Sequence, residues 1–355
     1  MKSKKHVIIG MSGGVDSAVS ALLLKKQGYH VTSLFMKNWE EKDENGICMA
    51  SKEFEDVVKV CEVLDIPYYS VNFAKEYKDR VFAEFLSDLQ KGYTPNPDIL
   101  CNREIKFKVL LEKAIDLGAD YLATGHYAQI GDGLTLLKGF DLSKDQSYFL
   151  YTLKSSILSK TLFPIGHLEK KAVRKIAEEH NLPVFAKKDS TGICFIGERN
   201  FKHFVSGYLP FQKGNFETLS GKVVGTHDGV AYYTIGQRKG LGIGGPGDAW
   251  FVVGKNTKQN IVYLEQGEDH PALYSKSLIA SEITWVNDSP PMAPFSCSAK
   301  IRYRQEDAPC QIVSHDLSQM RVVFSKPQRA VTPKQSIVFY QNNVCLGGAV
   351  IDQGL

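Results

Sequence analysis

The sequence predicts an α/β chain that opens with a parallel sheet and its crossover helices, continues through a small glycine-rich domain, and ends in an antiparallel β-barrel. Three observations predict it. Apolar strand-like runs alternate with amphipathic helical stretches as far as about residue 204, which is the pattern of parallel strands joined by helices. Helical periodicity then stops, and glycines recur at positions 207, 214, 221, 225 and 229. From about Pro271 short strand-like runs follow one another with only turn residues between them, as in a small barrel. These changes divide the chain into 1–204, 205–270 and 271–355, and a chain of 355 residues exceeds what one core usually supports.

The first unit is HVIIGMSGGVDSAVSALLLKKQGYHVTSLFM, an apolar run, a turn at Gly13 and Gly14, a helical face through Val19, Leu22, Leu23 and Lys26, and a second strand. Asp16 or Ser17 can cap that helix. SKEFEDVVKVCEVLDI reads as an amphipathic helix, PYYSVNF as a strand, and about Lys75 to Lys91 as a helix. IKFKVLLEKAIDLGA (helix), DYLATGH (buried strand), LEKKAVRKIAEEHNL (helix) and PVFAK (strand) continue the alternation. The last domain is carried by SLIASEITWV, FSCSAKIRYR, PCQIVSH, MRVVFSK, SIVFYQ and VCLGGAVI. In AKIRYRQ, strand alternation would place Lys300, Arg302 and Arg304 on one face and Tyr303 on the other. Such a basic face is either solvated or meets phosphate.

Composition narrows the class. Hydrophobic residues are 43% and charged residues 23%, which fits a packed globular protein rather than a disordered or fibrous one. A net charge of +4 permits a nucleic-acid partner without requiring one. No apolar run approaches the ~20 residues of a membrane helix, and MKSKKHVIIG is too short for a signal-peptide core. A cytoplasmic, membrane-free protein is expected. Seven cysteines include no CxxC pair, so neither a zinc site nor an iron–sulfur cluster is expected.

Two short stretches carry the chemistry. Ser12-Gly13-Gly14-Val15-Asp16-Ser17 lies between a strand and a helix, where backbone N–H groups and the helix dipole can hold phosphate. It lacks the Lys-Ser/Thr of a Walker loop and the spacing of a dinucleotide fingerprint. Met36 ends the second strand where a dinucleotide enzyme would carry an acid for the ribose; a methionine suits adenine stacking, or ordinary core packing. Gly125, in ATGHYA, permits a close backbone approach or simply a turn. The second stretch is NPDILCNR, in which Cys101 has Asp98, Asn102 and Arg103 for company, a setting where a cation can lower a thiol pKa. Cys194 occupies a comparable glycine-containing loop, KKDSTGICFIG. Each cysteine taken alone is structural as readily as reactive.

The string SGGVDS after an apolar strand resembles the phosphate loop of the N-type ATP pyrophosphatases, or PP-loop superfamily, whose first domain is a Rossmann-like parallel sheet. The set SGGVDS, NPDILCNREIKF, ATGHYA, KDQSYFL, DSTGICFIG and YTIGQRKGLGIGG resembles one branch of it, the bacterial tRNA-specific 2-thiouridylases, over essentially the whole chain. That resemblance implies ATP and Mg2+ as cofactors, with Gly10, Met11, Ser12, Gly13, Gly14, Val15, Asp16 and Ser17 around the phosphates, Asp16 near the magnesium ion, and Met36 and Gly125 also at the nucleotide. It implies that the C2 oxygen of wobble uridine 34 attacks the α-phosphate and that Cys194 carries a persulfide whose sulfur reaches C2. Cys101 is then the second thiol, leaving a transient Cys101–Cys194 disulfide, and Asp98 is the acid/base. Asn96, Pro97 and Asp98 would touch the target base, and His126, Lys144, Asp145, Gln146, Tyr303, Arg304 and Gln335 would contact tRNA. Lys334 departs from the glycine more usual in that family, which leaves the turn before Gln335 open. The partners implied are tRNA, those for glutamate, glutamine and lysine, and a sulfur donor, either a cysteine desulfurase or a relay carrier; a monomer is expected. Two other readings stay open on the residues alone: a small-molecule ligase of the same superfamily, amidating or argininosuccinate-type, and a silent RNA-binding protein.

Overall fold

The computed structural model describes residues 4–40, 49–189, 201–209, 212–287, 290–316 and 318–355. Five parallel strands form the first sheet in the spatial order Tyr68–Asn72, His30–Lys37, His6–Gly10, Tyr121–Ala123, Thr161–Leu162. The strand His6–Gly10 is central, and its Val7, Ile8 and Ile9 are fully buried because helices cover both faces. The chain leaves that strand toward one edge and later returns to its other side. The crevice at the carboxyl ends of His6–Gly10 and Tyr121–Ala123 is therefore the topological switch point, where ligands of such sheets bind.

Sequence and structure differ at three places in this domain. PVFAK forms a turn rather than a strand, and the fifth strand is Thr161–Leu162. The helix expected from Ile105 begins eight residues earlier, as one helical run over 97–116 with Asn96 as its cap. Residues 128–138 form a hairpin, Ala128–Gly131 against Thr135–Lys138, that leaves the parallel sheet altogether.

That hairpin joins the C-terminal barrel. Six antiparallel strands, from Tyr274–Trp285 to Val344–Gly354, close on one another through pairing of the first and last. Leu137 and Leu136 then pair with Val344 and Cys345, extending the barrel sheet with two strands of the first domain. Tyr148 donates to Ser336 O at 2.9 Å, and the hydroxyls of Ser147 and Tyr340 lie 3.2 Å apart across the same seam. The central domain is a four-stranded sheet, in the order Trp250–Asn256, Ile261–Gln266, Gly214–Glu217, Val223–His227, with its own apolar core around Phe216, Val252, Val262 and Leu264. Among the described residues no helix is long and apolar enough to cross a membrane.

The basic stripe expected on AKIRYRQ does not exist. The strand Phe295–Lys300 ends at Lys300, and residues 301–304 turn away from it. Lys300 is buried near Asp145 and Asp307, at 3.8 and 3.7 Å. Arg302 donates from Nη2 to Ile235 O, Ala330 O and Thr332 Oγ1 at 2.7, 3.2 and 2.9 Å, binding a central-domain loop to the barrel. Arg304 alone of the three remains exposed. Arg302→Met should therefore lower the stability by about 2–3 kcal/mol, since it strands three acceptors. Arg304→Ala should stay within about 0.5 kcal/mol of wild type. Urea unfolding monitored by circular dichroism checks both.

Candidate active site

At the end of His6–Gly10 the chain turns through Met11 to Gly14 and enters the helix Val15–Lys26. Met11 N donates to Leu34 O at 3.1 Å, and the buried side chains of Met11 and Val15 anchor the loop from beneath. Gly13 has φ +72°, and a Cβ there would lie 2.6 Å from Glu53 O, so no other residue fits this turn without strain. The cap is Gly14, in extended conformation with no side-chain cap bond, rather than Asp16 or Ser17. Ser17 Oγ instead donates to Gly14 O and accepts from Ser12 N, at 3.1 and 3.2 Å, bracing the loop from inside. A first helical turn without a side-chain cap presents its N–H groups to an anion. Gly125 packs against the same turn, and a Cβ there would lie 2.8 Å from Ser17 N and 2.9 Å from Asp16 C. The half-buried Met36 lies at the carboxyl end of the neighbouring strand.

A chain of ion pairs runs outward from this loop. Lys170 Nζ reaches both Asp16 carboxylate oxygens at 2.8 Å and Asp189 Oδ1 at 2.9 Å. Tyr127 donates its hydroxyl to Asp16 Oδ1 at 2.8 Å, while burial and the adjacent Asp16 charge keep that hydroxyl protonated. Arg174 and Lys144 complete the shell of Asp189, at 2.6 and 2.9 Å. Partial burial opposes ionisation of Asp189, but Lys170 and Lys144 outweigh it and hold the carboxyl down at about 2. Lys187 Nζ ties Gly13 O to Asp56, at 3.0 and 2.7 Å. Sequence reasoning missed Lys170, Tyr127 and Arg174. One signal was available for Lys170: it opens the helix Lys170–Glu179, an end where the dipole disfavours a cation unless an anion is near.

The thiol segment differs from its linear appearance. Asn96 Oδ1 accepts from Asp98 N at 3.2 Å and Pro97 takes the first helical position, so NPD is itself a helix start. The helix then turns Cys101 inward, to 1% exposure among Ile99, Leu100 and Ile105. Arg103 Nε is held by Glu104 at 2.9 Å, a carboxylate that also binds Lys108, and Asn102 donates to Phe149 O at 3.1 Å. Of the polar company expected for the thiol, Asn102 and Arg103 are thus engaged elsewhere. Cys194 lies outside the described residues.

The other expected contacts fall into two groups. His126 is buried, donating to or accepting from Thr124 Oγ1 at 2.8 Å, and burial with nearby Lys106 pushes its pKa well down, leaving it neutral. Asp145 accepts from Gly139 N, Ser147 N and Ser147 Oγ, each at 3.0 Å, and so shapes its own loop. Gln146 Oε1 accepts from Tyr127 N at 2.9 Å. The ring of Tyr303 packs 4.4 Å from Phe149 with its hydroxyl facing Lys144 O, so barrel and first domain meet beside the ion-pair chain. Gln335 Nε2 donates to Thr94 O, two residues before Asn96. Lys334 adopts the glycine-like φ of +66° and places its ammonium 3.3 Å from Glu282, which resolves the turn.

The comparisons with known proteins agree with this geometry. The family model described as tRNA methyl transferase HUP domain matches residues 5–198, that of tRNA methyl transferase PRC-barrel domain residues 202–266, and that of Aminomethyltransferase beta-barrel domain residues 275–351. A protein of Protochlamydia amoebophila named tRNA-specific 2-thiouridylase MnmA is 60% identical over 99% of this chain and 95% of its own. Proteins of the same name from Staphylococcus saprophyticus and Oceanobacillus iheyensis are 58% and 56% identical, over 98% and 99% of this chain and 95% and 96% of theirs. A solved complex of a 4-thiouridine synthetase with RNA and bound ATP is 16% identical, with a TM-score of 0.35 over 55% of this chain and 46% of that one. That likeness is too distant to carry an argument.

The Asp189 hub has a pH signature. A carboxyl whose pKa falls from 3.8 to about 2 on folding stabilises the folded state above about pH 4, and the gain disappears as pH falls toward 2. Asp189→Asn should cost about 1–2 kcal/mol at pH 7, discounted for partial exposure. Its urea midpoint should converge on the wild-type value between pH 4 and pH 2.

Proposed function

The chain belongs to the tRNA-specific 2-thiouridylase family, and from that premise we propose that it converts the wobble uridine 34 of tRNA to 2-thiouridine through an ATP-activated base. The identity of 56–60% along the whole chain is what carries this reading. The methyl transferase wording of two domain descriptions differs from the name of the full-length relatives. Whole-length identity is the tighter constraint, and a phosphate-holding loop at the switch point serves adenylation directly.

In the proposed reaction the domain 1–204 performs adenylation and sulfur transfer, while 205–270 and 271–355 grip tRNA. The triphosphate lies along Gly10–Ser17, with Met36 and Gly125 beside the nucleotide. Asp16 suits a magnesium ion that arrives with the nucleotide, because magnesium is commonly held by one or two carboxylates plus substrate phosphates. With such an ion bound, Lys170 would still be held by Asp189, which it already contacts at 2.9 Å. The uridine is extruded against Asn96–Asp98, with His126, Lys144, Asp145, Gln146, Tyr303, Arg304 and Gln335 as further contacts. The C2 oxygen attacks the α-phosphate and pyrophosphate leaves, Asp98 managing the proton. The outer sulfur of a Cys194 persulfide attacks C2 and AMP leaves. The Cys101 thiolate attacks the Cys194 sulfur, the S–S bond to the base breaks with its electron pair on the new 2-thio group, and a Cys101–Cys194 disulfide remains for an external thiol to reduce. A sulfur donor protein reloads Cys194.

Incubation with ATP, magnesium, a persulfide source and unmodified tRNA should release pyrophosphate only when tRNA is present and should form 2-thiouridine. Pyrophosphate without tRNA would favour a small-molecule ligase. Cys101→Ser and Cys101→Ala should keep ATP binding and lose multiple turnover; wild-type thiolation by either returns Cys101 to a packing role. Arg304→Ala should reduce the salt slope of tRNA binding by roughly one unit, read by filter binding across a salt series.

A further inference from the structure

Among the described residues the buried lysines are paired with carboxylates: Lys170 with Asp16 and Asp189, Lys138 with Asp307, Lys300 with Asp145 and Asp307. Lys255 breaks the pattern. It lies on the central-domain strand Trp250–Asn256, half-buried, and its ammonium donates to two neutral oxygens, Tyr233 O at 2.6 Å and Thr94 Oγ1 at 3.3 Å. An ammonium has three donors, and among the described residues the third has no acceptor and no carboxylate stands within ion-pair reach. Burial alone brings its pKa down to about 8, the mark of a cation desolvated without compensation.

Its position suggests what the missing counter-charge is. Thr94 is where the three domains converge: Lys255 and Thr234 reach its hydroxyl, Gln335 reaches its carbonyl, and a Cβ on nearby Gly92 would collide with Thr257. Two residues later begins the segment Asn96–Asp98, which caps the helix bearing Cys101. The loop after Thr234 is pinned to the strand of Lys255 by Gly236 N to Val252 O and Val252 N to Gln237 O, at 2.7 and 3.0 Å. That loop carries the exposed cations Arg238 and Lys239.

We propose that Lys255 is a phosphodiester-binding residue, taking a backbone phosphate of the tRNA strand next to the extruded nucleotide, with Arg238 and Lys239 continuing the track. The proposal rests on the tRNA reading above and adds a subsite to it. A phosphate oxygen supplies the third donor with an acceptor and the ammonium with a charge. Through Thr94 the same contact reaches the segment facing the base, so the strand and the target nucleotide are positioned together.

The test is fluorescence anisotropy with an unmodified anticodon stem-loop RNA across a salt series, for wild type, Lys255→Met and Lys255→Arg. Lys255→Met should bind about tenfold more weakly, with the salt slope reduced by about 0.7–0.9; Lys255→Arg should keep the slope; MgATP binding should be unchanged in both. Wild-type slope in Lys255→Met, or weaker binding at an unchanged slope, overturns the phosphate assignment while leaving the thiolation reading intact. Failure of the wild type to bind the stem-loop overturns both. Acylation of Lys255 in the wild type, followed by mass spectrometry, gives an answer independent of the variant's folding: the RNA should protect Lys255, and equal labelling with and without RNA overturns the proposal.

Discussion

Lys170 is the residue on which the arrangement of the site turns. One ammonium satisfies Asp16, at the start of the loop helix, and Asp189, at the end of the described segment that leads toward Cys194. Without it Asp16 would keep only the Tyr127 hydroxyl among these side-chain partners, while Asp189 would still have Arg174 and Lys144. The partners of Asp189 extend the chain to Lys144 and, through the loop of Lys144, to Tyr303 of the barrel. The phosphate loop is therefore electrostatically continuous with the surfaces proposed to meet RNA. A ligand that changes the charge at Asp16 acts on a lysine that Asp189 shares.

The second constraint is the shared sheet. By lending the hairpin 128–138 to the barrel, the first domain fixes the barrel's orientation through backbone hydrogen bonds rather than through side chains alone. The barrel's Gln335 and, from the central domain that Arg302 ties to the barrel, Lys255 reach one short loop, 91–96. Domains joined by flexible linkers would not hold three polar groups on a single threonine. The hairpin is what makes a composite surface around Asn96–Asp98 feasible.

Much of this was legible in the sequence, and the failures have physical causes. The strand–glycine–helix unit was readable because apolar periodicity and Gly13 both express strict local requirements. The loss of helices after residue 204 was equally plain. The hairpin 128–138 was not, because its partner strand lies more than 200 residues away and its four-residue strands are too short for a period to emerge. The basic stripe failed for a related reason: alternation was projected past Lys300, where the strand ends, and two of its three cations are spent on internal acceptors. Lys170 and Tyr127 act through contacts 154 and 111 residues distant, which no local pattern encodes.

Cys101 shows where linear reading and packing conflict most. Its neighbours Asn102 and Arg103 are polar, but a helical turn of about 100° per residue sends them to other faces and the thiol to the core, while Asp98, three residues earlier, shares its face. At 1% exposure the Cys101 thiol is shielded from bulk solvent, and what positions it is the start of its helix. That start is Asn96–Asp98, and the loop immediately before it is held by Lys255, Thr234 and Gln335 from the two other domains. RNA gripped by those domains, as proposed, bears on the segment that starts the Cys101 helix. The domain junction at Thr94 is thus where the proposed grip on tRNA meets the helix that bears the proposed thiol.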